Sequence, residues 1–131
     1  MSAPFRLVIA DDHDEIRRLL EDWLVGDERF EVAGEAADGA AAVHLAEKLQ
    51  PDAVLLDLRM PVMSGEEAMA RIRKVAPGAA VVVLSGDADL LEKAKRLRAD
   101  GVFPKGGSIA AALDALAAAV IRRRMTKAQA S

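Results

Sequence analysis

Three near-continuous apolar runs constrain this chain more than any other feature: Phe5 to Ala10 (FRLVIA), Ala53 to Leu58 (AVLLDL) and Ala80 to Ser85 (AVVVLS). Runs of this kind, apolar at successive positions, belong to strands buried on both faces, which happens when helices cover a parallel sheet from two sides. Two weaker strands fit at Phe30 to Glu35 and Gly101 to Phe103. The intervening segments carry helical spacing. Ile16, Leu19, Leu20, Trp23 and Leu24 make one apolar stripe, read as a core face that includes Trp23. A second helix, Ala40 to Leu49, follows the Asp38-Gly39 turn and is blocked by Pro51. A third, Glu66 to Val75, stops before Pro77-Gly78; a fourth, Ala88 to Leu97, has Asp87 or Asp89 as its N-cap. The fifth starts near Ser108 and aligns Ile109, Leu113, Leu116 and Val120. Its end carries Arg122, Arg123 and Arg124, read as a solvated helix terminus where positive charge is favoured.

Strands and helices in strict alternation predict an α/β fold of (βα)5 order: a doubly wound parallel sheet between two helical layers, joined by right-handed crossovers. A length of 131 residues allows one domain. Residues 1–124 are expected to form it, with 125–131 as a short flexible tail. With 52% hydrophobic and 30% charged residues the chain is of the globular class. Its net charge of -3 argues against direct nucleic-acid binding, which needs a basic surface. No membrane contact is expected: the longest apolar stretch, Ile109 to Ile121, is broken by Asp114 and falls short of a roughly 18-residue span. The first ten residues lack an export signal. The absence of cysteine excludes disulfides and thiolate chemistry and fits a cytoplasmic location.

An open parallel sheet binds its ligands at the carboxyl ends of its strands. Strand one ends in Asp11-Asp12, strand three in Asp57, strand four in Ser85, and strand five is followed by Lys105. These groups should converge on one rim. Carboxylates ~5 Å apart repel by roughly 3 kcal/mol per pair at an effective dielectric of ~20. A hard divalent cation, Mg²⁺ or alternatively Mn²⁺, relieves that repulsion. Helix capping could account for one aspartate of the Asp11-Asp12 pair, but not for Asp57 inside an apolar run. Carboxylate, cation, ammonium and hydroxyl around one point suit phosphoryl transfer onto Asp57, with Lys105 as a second positive charge and Ser85 donating a hydrogen bond.

In these residues the chain resembles the receiver domains of bacterial two-component response regulators, the chemotaxis-regulator-like phosphoacceptor domains. The likeness runs from Leu7 to about Val120. It rests on Asp11-Asp12, on Asp57-Leu58-Arg59-Met60-Pro61 with Gly65 after it, on Leu84-Ser85-Gly86, and on Gly101-Val102-Phe103 followed by Lys105. The resemblance implies a flavodoxin-like sheet of order 2-1-3-4-5. It implies that Asp57 is the phosphoacceptor of a phosphorelay, loaded by a histidine kinase or histidine phosphotransfer protein. Asp12, Asp57 and the Arg59 backbone carbonyl would ligate Mg²⁺, with Asp11 acting mainly through water. Ser85 and Phe103 would form the switch that biases the surface of helix four, strand five and helix five, where a downstream protein or a second copy would bind. Autodephosphorylation would be slow, and the chain a signalling module in place of an enzyme with a dissociable substrate.

Some positions depart from the common pattern: Phe103 stands where tyrosine is frequent, and Pro104 precedes Lys105 instead of following it. Strand five should then be an edge strand, where proline is tolerated. Arg59 and Asp87 are expected at the crevice mouth, pairing across it to gate water. His13 reads as a residue that faces solvent or caps helix one, since Mg²⁺ prefers oxygen. Lys93, Lys95, Arg96 and Arg98 make helix four basic. Two other readings compete. A phosphohydrolase with an aspartyl-phosphate intermediate would want an acid two residues after its nucleophile, where this chain has Arg59. A pseudo-receiver that binds partners without phosphorylation would not need the intact acidic cluster.

Overall fold

The computed structural model describes residues 3–59 and 62–130, with side chains described as far as Thr126; Met60 and Pro61 of the acidic-loop segment lie outside the described residues. The elements alternate as expected: β1 (Phe5–Ala10), α1 (Asp14–Val25), β2 (Phe30–Ala36), α2 (Gly39–Leu49), β3 (Ala53–Asp57), α3 (Gly65–Val75), β4 (Ala80–Ser85), α4 (Ala88–Arg96), β5 (Gly101–Pro104) and α5 (Ile109–Ala130). The five strands form one sheet of order β2-β1-β3-β4-β5, and every pairing is parallel.

Alternation along the central strands divides the core in two. Val8, Val54, Leu56, Val81 and Val83 face α2, α3 and α4, where they meet Ala42, Ala46, Met69, Ile72 and Ala94. Leu7, Ile9, Leu55 and Val82 face α1 and α5, where they meet Leu24, Leu116, Ala119 and Val120. Both sets are needed to keep all positions of a strand dry, which is why the runs are continuous in the sequence. Local chemistry sets the helix starts. Asp38, Ser64 and Asp87 accept hydrogen bonds from the first-turn amides of α2, α3 and α4. Gln50 adopts the left-handed conformation that ends α2 just before Pro51. Pro104 closes β5 at the sheet edge, as its missing amide requires.

Three expectations change. The α5 helix does not stop at Arg124 but continues through Ala130, because the stretch from Met125 contains good helix formers and neither glycine nor proline. The arginine triplet is exposed at Arg122 and Arg124, as expected of a solvated stretch, but it is also engaged and does not end the helix. Arg122 donates to the Asp100 carbonyl at 3.0 Å and Arg123 to the Pro77 carbonyl at 3.0 Å. Arg124 pairs with Asp52 at 2.6 Å and lies over the Phe5 ring. Together they tie α5 to the loops at the amino edge of the sheet, opposite the rim that carries the acids. Trp23, finally, is only half-buried and Leu19 is exposed. Both line an apolar groove of about 340 Å³ between α1 and the start of α5, so the stripe is only partly core. Among the described residues no helix is long and apolar enough to cross a membrane.

Gly65 opens α3 against the chain leaving β3, and a Cβ there would lie 2.6 Å from the Leu58 Cα. Gly65→Ala should therefore lower the unfolding free energy by about 1–3 kcal/mol in a urea titration, since backbone must move. Gly86→Ala, whose methyl would meet nothing within 4 Å, should stay within about 0.5 kcal/mol of the parent. Equal effects at both positions would show that close packing at Gly65 is not what fixes this loop.

Candidate functional site

Every strand of a parallel sheet delivers its last residue to the same rim, and here the rim collects charge. Asp11 follows β1 and is held by its amide, which donates to the Ala36 carbonyl at 3.0 Å. Asp57 ends β3, and Ser85 ends β4. Lys105 follows β5, with its amide donating to the Ser85 carbonyl at 3.0 Å. Asp11, Asp57 and Ser85 are only 2%, 4% and 2% exposed, and they are the buried polar residues among those described.

Lys105 bridges the two buried acids. Its Nζ lies 3.2 Å from Asp11 Oδ2 and 3.4 Å from Asp57 Oδ2. The other Asp57 oxygen accepts the Arg59 amide at 2.9 Å. Burial pushes the Asp57 carboxyl above the ordinary range, and the Asp11 charge adds to the rise; the Arg59 amide and the Lys105 ammonium offset it only in part. Burial alone would depress Lys105, but the charges of Asp57 and Asp11 and their hydrogen bonds outweigh it and hold the ammonium above its ordinary value. One cation is thus shared between two acids, and the acids remain under-compensated.

The structure brings Asp12 to the same point. One donor atom each from Asp11, Asp12, His13 and Asp57 lies within 4.8 Å of the others. Three carboxylates at that spacing, with the positive charge of Lys105 already divided between two of them, fit a hard divalent cation. Of the two roles expected for His13, facing solvent and capping α1, the first holds, with its side chain 64% exposed, and the second does not. His13 precedes α1 at the N-cap position yet makes no side-chain cap bond, and its ring nitrogen Nδ1 sits 3.1 Å from Asp11 Oδ1 and 2.9 Å from Asp12 Oδ1. His13, Asp57, Ser85 and Lys105 open onto a crevice of about 460 Å³. Arg59 and Asp87 do pair across its mouth, as expected. The Asp87 carboxyl is held below the ordinary range by the Leu90 amide first and then by Arg59.

The expected switch pair does not share a face of the sheet. Ser85 follows Val81 and Val83 in alternation, on the side of α2, α3 and α4. Phe103 is registered beside Leu84 and packs in the α1/α5 cluster. The Phe103 ring therefore cannot turn in behind Ser85, because the sheet lies between them. The β5 residue on the Ser85 side is Val102, which is registered beside Val83 and packs with the α4 cluster. Two adjacent apolar residues in a four-residue strand gave no sequence signal for which one faced Ser85. The Ser85 hydroxyl meanwhile accepts the Asp87 amide at 3.1 Å, linking the rim to the start of α4.

A family model for the response regulator receiver domain matches residues 7–117. The chain is 38% identical over 127 residues to the transcriptional regulatory protein PdtaR of Mycobacterium tuberculosis, covering 94% of this chain and 60% of that one. It is 32% identical over 113 residues to the chemotaxis protein CheY of Halobacterium salinarum, covering 85% of this chain and 92% of that one. Among solved structures, the CheX–CheY–BeF₃⁻–Mg²⁺ complex from Borrelia burgdorferi matches with a TM-score of 0.78 and 27% identity over 88% of each chain.

With divalent cations chelated, Asp57→Asn should raise the thermal midpoint at pH 7 by about 3–6 °C per kcal/mol of relieved burial. The sign follows from the raised folded pKa. Ionised Asp57 weakens the fold above that pKa, and the loss disappears as the pH falls through it and below the unfolded value of about 3.9, where both states are protonated. The advantage of the variant should close on acidification. A variant no more stable than its parent at pH 7 would contradict the reading of Asp57 as an under-compensated buried charge.

Proposed function

The chain belongs to the response regulator receiver family, and from that membership we propose that Asp57 accepts a phosphoryl group from a histidine kinase or phosphotransfer protein. The observation that carries this reading is the buried Asp57 carboxylate held 3.4 Å from the Lys105 ammonium at the floor of an open crevice. A carboxylate is ionised without a general base, so the site needs positioning and charge stabilisation more than proton transfer. In the step itself an Asp57 oxygen forms a bond to phosphorus, the P–N bond to the donor imidazole breaks with its electron pair left on nitrogen, and that nitrogen takes up a proton. Lys105 offsets the charge that gathers on the transferred group. Ser85 exchanges its contact with the Asp87 amide for a hydrogen bond to the phosphoryl oxygen.

Mg²⁺, or Mn²⁺ in its place, would be held by Asp12, Asp57 and the Arg59 carbonyl, with Asp11 through water. Bound there, it supplies neutralisation of phosphoryl-oxygen charge. Phosphorylation adds a charge of about −2 next to Ser85, and the resulting shift at the Asp87-capped start of α4 reaches the α4/β5/α5 surface, where a protein target or second copy binds. We place the receiver unit at residues 1–124 and its working location in the cytoplasm. The chain is a signalling module in this reading, not a turnover enzyme. Arg59, two residues after Asp57, cannot act as a general acid and is engaged with Asp87, which speaks against the phosphohydrolase alternative.

Incubation with Mg²⁺ and acetyl phosphate should give one phosphoryl adduct by intact mass, none in Asp57→Ala, and formation slowed about 100-fold or more in Lys105→Ala. An undiminished adduct in Asp57→Ala would sink the assignment. Replacing both Arg59 and Asp87 with alanine should speed loss of the phosphoryl group several-fold by opening the crevice to water. An unchanged rate would leave that pair no gating role.

A further inference from the structure

His13 is the one member of the rim cluster that the phosphoacceptor reading does not use. Its placement is specific. The His13 amide donates to Asp11 Oδ1 at 2.9 Å, a two-residue turn that folds the imidazole back over the acids. Nδ1 then lies 2.9 Å from Asp12 Oδ1 and 3.1 Å from Asp11 Oδ1. Ligands of a first-row cation sit about 2.0–2.2 Å from it, so two that meet at a right angle are about 3 Å apart. The His13 nitrogen stands at that spacing from both carboxylate oxygens. The three atoms, with one from Asp57, also fall within the 4.8 Å span of one donor set. The ring makes no cap bond to α1; it is largely exposed at the crevice, and its polar contacts among the described residues are those to the Asp11 and Asp12 carboxylates.

We infer that His13 contributes an imidazole nitrogen to the cation site at the rim, making it a mixed nitrogen and oxygen site that takes Ni²⁺, Co²⁺ or Zn²⁺ more tightly than an all-oxygen receiver site would. This rests on the reading of the rim as a divalent-cation site. The chemistry follows from ligand preference: Mg²⁺ is served by carboxylates, carbonyls and water and gains nothing from imidazole, whereas later first-row cations favour nitrogen. The bland alternative is a ring that only hydrogen-bonds the two carboxylates and so steadies them for any cation.

Calorimetric titration of the full chain with Mg²⁺ and, separately, Ni²⁺ distinguishes these, using the parent, His13→Ala and Asp57→Asn. His13→Ala should lose tenfold or more in Ni²⁺ affinity while its Mg²⁺ affinity stays within threefold. The visible absorption of the Co²⁺-loaded parent should also change on the same substitution, as expected when a nitrogen leaves the coordination shell. Equal losses for both metals would overturn the nitrogen-ligand assignment and leave the steadying role; an unchanged Ni²⁺ affinity with an unchanged Co²⁺ spectrum would overturn both. Failure of the parent to bind Mg²⁺, or full binding of both metals by Asp57→Asn, would instead overturn the cation site beneath it.

Discussion

The structure turns on one ammonium group shared by two buried carboxylates. Lys105 lies within 3.4 Å of both Asp11 and Asp57, and each of those acids is almost wholly removed from water. A parallel sheet forces this proximity, because it points every strand end at the same rim and leaves no polar alternative beneath. At effective dielectrics of about 20, two carboxylates ~5 Å apart repel by roughly 3 kcal/mol, and a single cation divided between them does not cancel the desolvation of both. The raised Asp57 pKa is the visible residue of that imbalance. The rim therefore suits added positive charge and, in the proposed function, would hold the larger negative charge of a phosphoryl group against it.

That demand shapes what surrounds it. Asp11 uses one oxygen on the His13 amide and the other on Lys105, and Asp57 divides its oxygens between the Arg59 amide and Lys105. The two acids are thereby fixed by the backbone of the loops that follow their strands. Ser85 is the point at which the rim meets the α4 side, through the amide of Asp87, the residue that also caps α4 and pairs with Arg59. In the proposed reading, a change at Ser85 would reach a helix start before the centre of the core, and a helix start is where a small displacement has fewer packing contacts to disturb. With Val102 and not Phe103 on that side of β5, any repacking behind Ser85 involves an aliphatic side chain of modest volume.

The fold and most of the rim were legible in the sequence. Continuous apolar strands, helical stripes and breakers such as Pro51 and Pro77 fix the (βα)5 order, and the carboxyl-end rule then collects Asp11, Asp12, Asp57, Ser85 and Lys105 without any coordinates. Beyond the length of α5 and the partial exposure of Trp23, three features were not legible, each for a physical reason. The facing of Phe103 depends on strand register, which a four-residue apolar strand does not encode. The role of the arginine triplet depends on long-range carbonyl and carboxylate partners, Asp100, Pro77 and Asp52, that only the closed sheet brings within reach. The exposure of His13 agrees with the sequence reading, but the approach of its ring to the acids depends on a side-chain-to-backbone turn at Asp11 that the residue type does not encode.

The central claim is that the rim is an under-compensated cluster of carboxylates whose charge a divalent cation completes. Its most direct test is the unfolding free energy of the parent chain, measured by urea titration across a series of Mg²⁺ concentrations at fixed ionic strength. A site of this kind binds the folded state alone, so the free energy should climb logarithmically once Mg²⁺ exceeds its dissociation constant, by about 2.7 kcal/mol at a hundredfold excess. A stability that stays flat from chelator to millimolar Mg²⁺ would contradict it.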